Sequence, residues 1–187
     1  MFQHIITLFA FIFAIALTHV FASATDLIRE RDRLRFSWLL ALWMVNATAS
    51  LLVNWLWLFE LNKIKAWSID EVLNQLIWVI PQYFVCSLIA MRVPNAGTID
   101  MPAFYAKQRP ILFSAYVALF VASIITNYVD RNNLSSWKPA EWISADVLVL
   151  PMLAAAIVAG WARPMWLQWT AAVATFGLSC WFLVSYT

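Results

Sequence analysis

The residues best equipped for chemistry are few, and each lies in apolar surroundings. His19 follows Thr18 near the end of an apolar run, and Asn46, Ser50 and Asn54 recur every fourth residue in another. Gln75 and Gln82 recur in a third, with Asn74 and Trp78 beside them. On an α-helix a four-residue step drifts by only about 40°, so Asn46, Ser50 and Asn54 form one polar stripe. Gln75, Trp78 and Gln82 share a second face by the same rule. Amides and hydroxyls in hydrocarbon need partners, so both stripes are expected to face a helix bundle and to meet each other. Such a pair of stripes either glues helices together by hydrogen bonds or lines a polar cavity for a small solute. His19, the one histidine within a predicted span, is a candidate proton acceptor, ligand or interhelical hydrogen-bond partner. His4 lies fifteen residues earlier, about 22 Å along a helix, too far to share a haem iron with His19. His19 is therefore only a weak cofactor candidate, and no cofactor or metal is expected. Asp146, two residues after Ser144, suits the positive end of a helix dipole and reads as a cap.

The elements that must position these groups are transmembrane helices. Of the 187 residues 64% are hydrophobic and 12% charged, where a soluble domain carries about a quarter charged residues. Twelve tryptophans and thirteen phenylalanines fit membrane interfaces and helix packing. Several apolar runs reach the roughly 20 residues that cross ~30 Å of hydrocarbon, too long for β-barrel strands. The fold class expected is all-α, a polytopic transmembrane bundle in one domain. Its six spans fall at about 3–24, 37–59, 69–91, 110–128, 144–162 and 165–185.

Local signals refine this frame. The start lacks the basic residues of a signal peptide, so the first run is expected to stay as a span. Ala10, Ala14, Thr18 and Ala22 make a small-residue stripe suited to a close helix–helix seam. Residues 26–35 are expected to continue helix 1, with Asp26/Arg29, Glu30/Arg33 and Asp32/Arg35 as supporting ion pairs. Ser68 and Glu71 have capping-box spacing, and Pro110 suits a first helical turn. Pro81 and Pro151 mark expected kinks. Ala154, Ala155, Ala156, Ala159 and Gly160 offer a close-packing surface, while Trp137 and Trp142 suit interface anchoring. Cys86 and Cys180 are too few for a disulfide framework and read as buried, inert thiols.

Charge distribution orients the bundle. Arg29, Arg31, Arg33, Arg35, Arg92, Lys107, Arg109 and Arg163 follow helices 1, 3 and 5; Lys63, Lys65, Arg131 and Lys138 occupy the opposite loops. This asymmetry follows the positive-inside rule and puts both termini away from the cytoplasm. A net charge of +2 is too small to imply a nucleic-acid partner. Zinc-protease, serine-elbow and phosphate-loop signatures are missing, so the expectation is a non-enzyme.

Thr18-His19, the basic segment ending at Arg33 and Arg35, the run Trp38-Leu-Leu-Ala-Leu-Trp43, Trp55, Trp57, Trp67-Ser68, Pro81, Tyr105 and Arg109 together resemble a group of uncharacterised small multi-pass bacterial membrane proteins. In that group a Thr-His pair ends the first span and tryptophans run through the second. The resemblance covers about residues 15–115; Asn46 and Asn54 stand outside its pattern. It implies a bacterial inner-membrane protein and carries no activity. Three functions fit the inventory. The first is a non-enzymatic accessory or scaffold subunit that packs against copies of itself or another membrane subunit. The second is a small-solute channel or transporter lined by helices 1–3 through His19, Asn46, Ser50, Asn54, Gln75 and Gln82. The third is a cofactor-binding electron-transfer subunit.

Overall fold

The computed structural model describes residues 2–61, 67–94, 96–133 and 139–185; within these, the side chains of 2, 60, 131–133, 139–146 and 185 are not described. The expected Ser144–Asp146 cap, the loop lysines Lys63 and Lys65 and the tryptophan side chains at 137 and 142 lie outside that description.

The chain forms an all-α bundle of six helices: α1 (Phe2–Arg29), α2 (Trp38–Glu60), α3 (Ile69–Ile89), α4 (Met101–Asn133), α5 (Pro139–Trp161) and α6 (Met165–Ser185). Five of these, all but α5, are long and apolar enough to cross a membrane; α5 contributes the shorter apolar stretch Val147–Trp161. Every helix leaves large apolar side chains exposed, among them Phe11, Phe59, Phe84, Ile125, Ile157 and Trp181. That surface suits lipid and not water.

Local chemistry sets the helix starts. The Ser37 hydroxyl accepts from the Leu40 N–H and opens α2. Ser68 and Glu71 form the expected capping box at α3, each side chain accepting the other residue's backbone N–H. The α4 start departs from expectation. Asp100 Oδ1 accepts from the Ala103 N–H at 2.8 Å, so the helix begins at Met101 and Pro110 lies well inside it. α3 and α5 likewise continue past Pro81 and Pro151.

α2 is the hub. It packs against α1, α3, α4 and α6, while α1–α3–α4–α5–α6 form an arc around it. α1 turns Phe9, Phe13, Ala16, Val20 and Leu27 into the core. Its stripe of Ala14, Thr18 and Ala22 points the opposite way and stays exposed. α2 meets α4 through aromatic rings: Trp43 lies against Phe113 and Tyr116 with centroids 4.7 and 5.4 Å apart. α5 approaches α4 through buried Ala156, Ala159 and Gly160, while Ala154 is exposed. A Cβ on Gly160 would come within 2.9 Å of the Phe113 Cβ, so only glycine permits this approach.

The basic segment corrects the expectation of a continued helix. α1 ends at Arg29, a 3-10 turn spans Arg31–Arg33, and β1 (Leu34–Arg35) pairs in parallel with β2 (Ile99–Asp100). Arg33 donates to the Gly97 and Pro94 carbonyls at 2.9 and 3.2 Å and to Glu30 at 2.9 Å. Arg35 takes Asp100 at 2.9 Å and not Asp32, which lies beside Arg31. Gly97 adopts φ +90°, a conformation that glycine reaches without Cβ strain. Of the three expected i,i+3 pairs Asp26/Arg29 and Glu30/Arg33 form, at 3.9 and 2.9 Å. Each such pair is worth only about 0.2–0.5 kcal/mol, too little to hold the segment helical against its tertiary partners. The result is a clamp that ties the α1–α2 connection to the α3–α4 connection.

Asp100 makes the clamp acid-sensitive. Its carboxyl is held below the ordinary 3.8 chiefly by the Ala103 N–H; burial opposes this, and Arg35 adds smaller lowering effects. A lowered folded-state pKa gives stability that is complete above the unfolded value and disappears as pH falls through the folded one. Hydrogen exchange at residues 97–103, referenced to the unfolded chain, should therefore lose protection as pH drops below 3.8. Asp100→Asn should begin with weaker protection and flatten that pH dependence; an unchanged profile in the variant would exclude Asp100 as the cause.

Candidate polar chamber

The two polar stripes meet in part. α3 presents Gln82 to α2, where Asn54 Nδ2 donates to Gln82 Oε1 at 2.8 Å. The Ser50 hydroxyl lies 3.0 Å from the Ala47 carbonyl oxygen and 3.4 Å from the Gln82 amide. Gln82 Nε2 also reaches Cys86 Sγ at 3.5 Å. Asn46 takes another direction: its Nδ2 donates to the Ala172 carbonyl on α6 at 3.0 Å, and its Oδ1 has no partner among the described residues. His19 is placed apart from both stripes, with Nε2 3.3 Å from the Tyr83 hydroxyl and the two rings edge to face. Cys86 is a buried free thiol as expected, whereas Cys180 is only half-buried.

Gln75 does not join Gln82. It turns to Asp130, which lies beyond the span expected at about 110–128. α4 extends through Asn133, which puts Asp130 on the helix with 4% of its surface exposed. Asn74 Nδ2 donates to Asp130 Oδ1 at 3.0 Å, and Gln75 Nε2 lies 3.2 and 3.1 Å from its two oxygens. Trp78 Nε1 donates to Gln75 Oε1 at 2.8 Å and fixes which end of that amide faces the acid. The Thr126 hydroxyl caps the arrangement by donating to the Asn74 carbonyl at 3.4 Å. Every bond to the carboxyl among the described residues comes from a side-chain amide N–H. Among the described residues no Lys or Arg forms an ion pair with it. A signal for this acid was present: Ser123, Thr126, Asn127 and Asp130 recur at i, i+3, i+4 and i+7, the period of one helix face.

Between these two nodes lies a cavity of 90 Å3. α2, which does not pack closely on α5, gives it Ser50, Asn54 and Trp57; α3 gives Trp78. α4 supplies the Ser123–Thr126–Asn127 face, α5 Met152, and α6 Ser179 and Phe182. The wall thus sets a few hydroxyl and amide groups into a mainly apolar surface that also includes Val53, Leu119, Phe120, Leu148 and Val149, and it is built from α2–α6. α1, expected to share the lining through His19, contributes nothing to it. Ser179 is 1% exposed, and its hydroxyl has no hydrogen-bond partner among the described residues. A buried polar atom left unpaired costs about 1–3 kcal/mol, so a hydroxyl on this cavity wall favours a polar occupant. The space exceeds the roughly 10–15 Å3 that one water requires.

Protein-family models, curated proteins and solved structures were compared with this chain, and nothing matches.

The amide clamp on Asp130 is open to a double-mutant test. Hydrogen bonds to charged groups contribute about 1.5–3 kcal/mol, so Gln75→Ala should destabilise the detergent-solubilised protein by about that amount. In the Asp130→Ala background the same change should cost much less, because the partner is gone. Additive losses in unfolding free energy would show that the two side chains are not coupled.

Proposed function

We propose that the chain is a channel or carrier for a small polar solute in a bacterial inner membrane, with the α2–α6 chamber as its binding site. The observation that carries this reading is the unpartnered, buried Ser179 hydroxyl on the wall of a cavity already lined with Ser50, Asn54, Ser123, Thr126 and Asn127. The solute supplies the hydrogen bond that Ser179 lacks among the described residues, while Trp57, Trp78 and Phe182 cover its apolar side. Asp130, one turn beyond Thr126 and Asn127, favours positive charge at that end of the chamber. No covalent chemistry is assigned, and the reading remains that of a non-enzyme. Both termini are taken as periplasmic, with the arginine-rich clamp cytoplasmic; the division of the twelve basic residues supports this orientation.

Stopped-flow osmotic swelling of proteoliposomes tests the proposal with two small polar probes, the cation methylammonium and neutral glycerol. Protein-containing vesicles should admit one or both several-fold faster than empty vesicles. Asn54→Leu and Ser179→Val, which remove polar lining, should abolish the gain. Asp130→Asn should lower methylammonium entry more than glycerol entry. Identical rates in empty and loaded vesicles, or variants that fold and conduct unchanged, would remove the chamber from the transport path.

A second reading is favoured by the stripe of Ala14, Thr18 and Ala22, which lies exposed on the side of α1 opposite its core face. Small residues on a lipid-facing surface permit close approach of another helix. In this reading the protein is an oligomeric or accessory subunit, and α1 pairs with a second copy. Native mass measurement from mild detergent should then show a dimer that Ala14→Leu with Ala22→Leu converts to monomer. A wild-type monomer without a partner subunit would count against it.

A further inference from the structure

The arc of helices around α2 is not closed: α1 and α6 do not pack substantially on each other, and the gap exposes Val45 and Leu52 of α2. There a groove of 650 Å3 opens on the outer surface of the bundle. Its floor is α2, where Ala41, Thr48 and Ala49 keep it deep; Phe21 of α1 and Phe176 of α6 form opposite walls. The lining is apolar apart from the Thr48 hydroxyl, which donates to the Met44 carbonyl, and Arg31 at one end, its one charged residue among those described. From Ala41 to Leu52 the floor runs about 16 Å at the helical rise, about half of a ~30 Å hydrocarbon core. The groove is one leaflet deep, and its charged end lies at the arginine-rich clamp.

Arg31 differs from its neighbours in this clamp. Arg33 and Arg35 are engaged by Glu30, the Gly97 carbonyl and Asp100 at 2.9 Å. The side chain of Arg31 is 80% exposed, and its nearest acid, Asp32, is 95% exposed and 3.9 Å away. At that separation and exposure the acid holds it weakly. A guanidinium left available above an apolar slot of one-leaflet depth matches an amphiphile with an anionic head and a hydrocarbon tail.

We propose that the α1–α2–α6 groove binds one anionic phospholipid of the leaflet on the clamp side, with an acyl chain along α2 and the phosphate on Arg31. The site is separate from the polar chamber, which opens on other faces of α2, and it does not depend on what the chamber carries. The lipid completes the bundle by filling the space between α1 and α6.

The test uses the full chain in mixed micelles containing equal amounts of phosphatidylglycerol and phosphatidylcholine with identical acyl chains. Native mass spectra should show a one-to-one phosphatidylglycerol complex that survives activation at which phosphatidylcholine is stripped. One juxtamembrane basic residue alters binding to anionic lipid by about fivefold, so Arg31→Gln should lower phosphatidylglycerol retention by about that factor, while Arg31→Lys retains most of it. Arg31 is exposed, so neither change disturbs the fold. Val45→Trp, at an exposed position on the groove floor, should expel both lipids. Equal retention of the two lipids, or no loss in Arg31→Gln, would overturn the proposal. A lipid-free dimer that Val45→Trp dissociates would give the groove to a second copy and overturn it as well.

Discussion

In hydrocarbon an unpaired amide or carboxyl has no water to turn to, and this constraint governs where α3 sits. That helix carries Asn74, Gln75 and Gln82, all buried, and each must find a partner on another helix. Gln82 finds Asn54 and Ser50 on α2; Asn74 and Gln75 find Asp130 on α4. α3 is thereby the cross-brace between the hub helix and the arc. Interhelical hydrogen bonds in membranes average only about 0.6 kcal/mol each, so their larger effect is to select register. A slip of one residue along α3 would turn these amides away from their partners and toward lipid.

The same constraint explains the chamber. α2 must satisfy Ser50 and Asn54 toward α3, and α4 must satisfy Thr126 and Asp130 toward the same helix. Between the two contacts no described residue of α5 or α6 supplies a donor or acceptor to the Ser179 hydroxyl. The cavity is what remains when polar faces are organised around α3 and the remaining wall comes from apolar helices. On its outer side α2 presents small residues to a gap, and the groove follows from that shape and from the failure of α1 and α6 to meet. Two recesses, one carrying polar groups among apolar ones and one almost wholly apolar, therefore share one central helix.

How much of this was legible depended on the range of the interaction. The helices, the Ser68–Glu71 capping box and the α2 stripe followed from periodicity, because each is a pattern within one segment. The Asn54–Gln82 contact was legible as a meeting of stripes on adjacent helices. Asp130 was missed because its charge, with Arg131 and the polar residues after it, made the end of α4 look like a loop. The helical spacing of Ser123, Thr126 and Asn127 argued otherwise. The clamp was illegible for another reason: a two-residue pairing and a pair of arginine-to-carbonyl bonds leave no period in sequence. Asn46 and His19 found partners on α6 and α3 that no local pattern specifies, a backbone carbonyl in one case and a tyrosine hydroxyl in the other.

The clamp also carries a consequence for biogenesis. Arg35 and Asp100 are 65 positions apart, and the two connections they join lie on the same side of the bundle. A ribosome adding about 5–20 residues per second needs roughly 3–13 s to make that interval. During that wait the arginine-rich turn lacks its partners, and the first hairpin sits in the bilayer with its connecting loop unfastened. The second hairpin therefore acts as a latch that closes only after α3 has crossed. A nascent chain stalled before residue 100 would hold the first two helices in an arrangement distinct from the finished bundle.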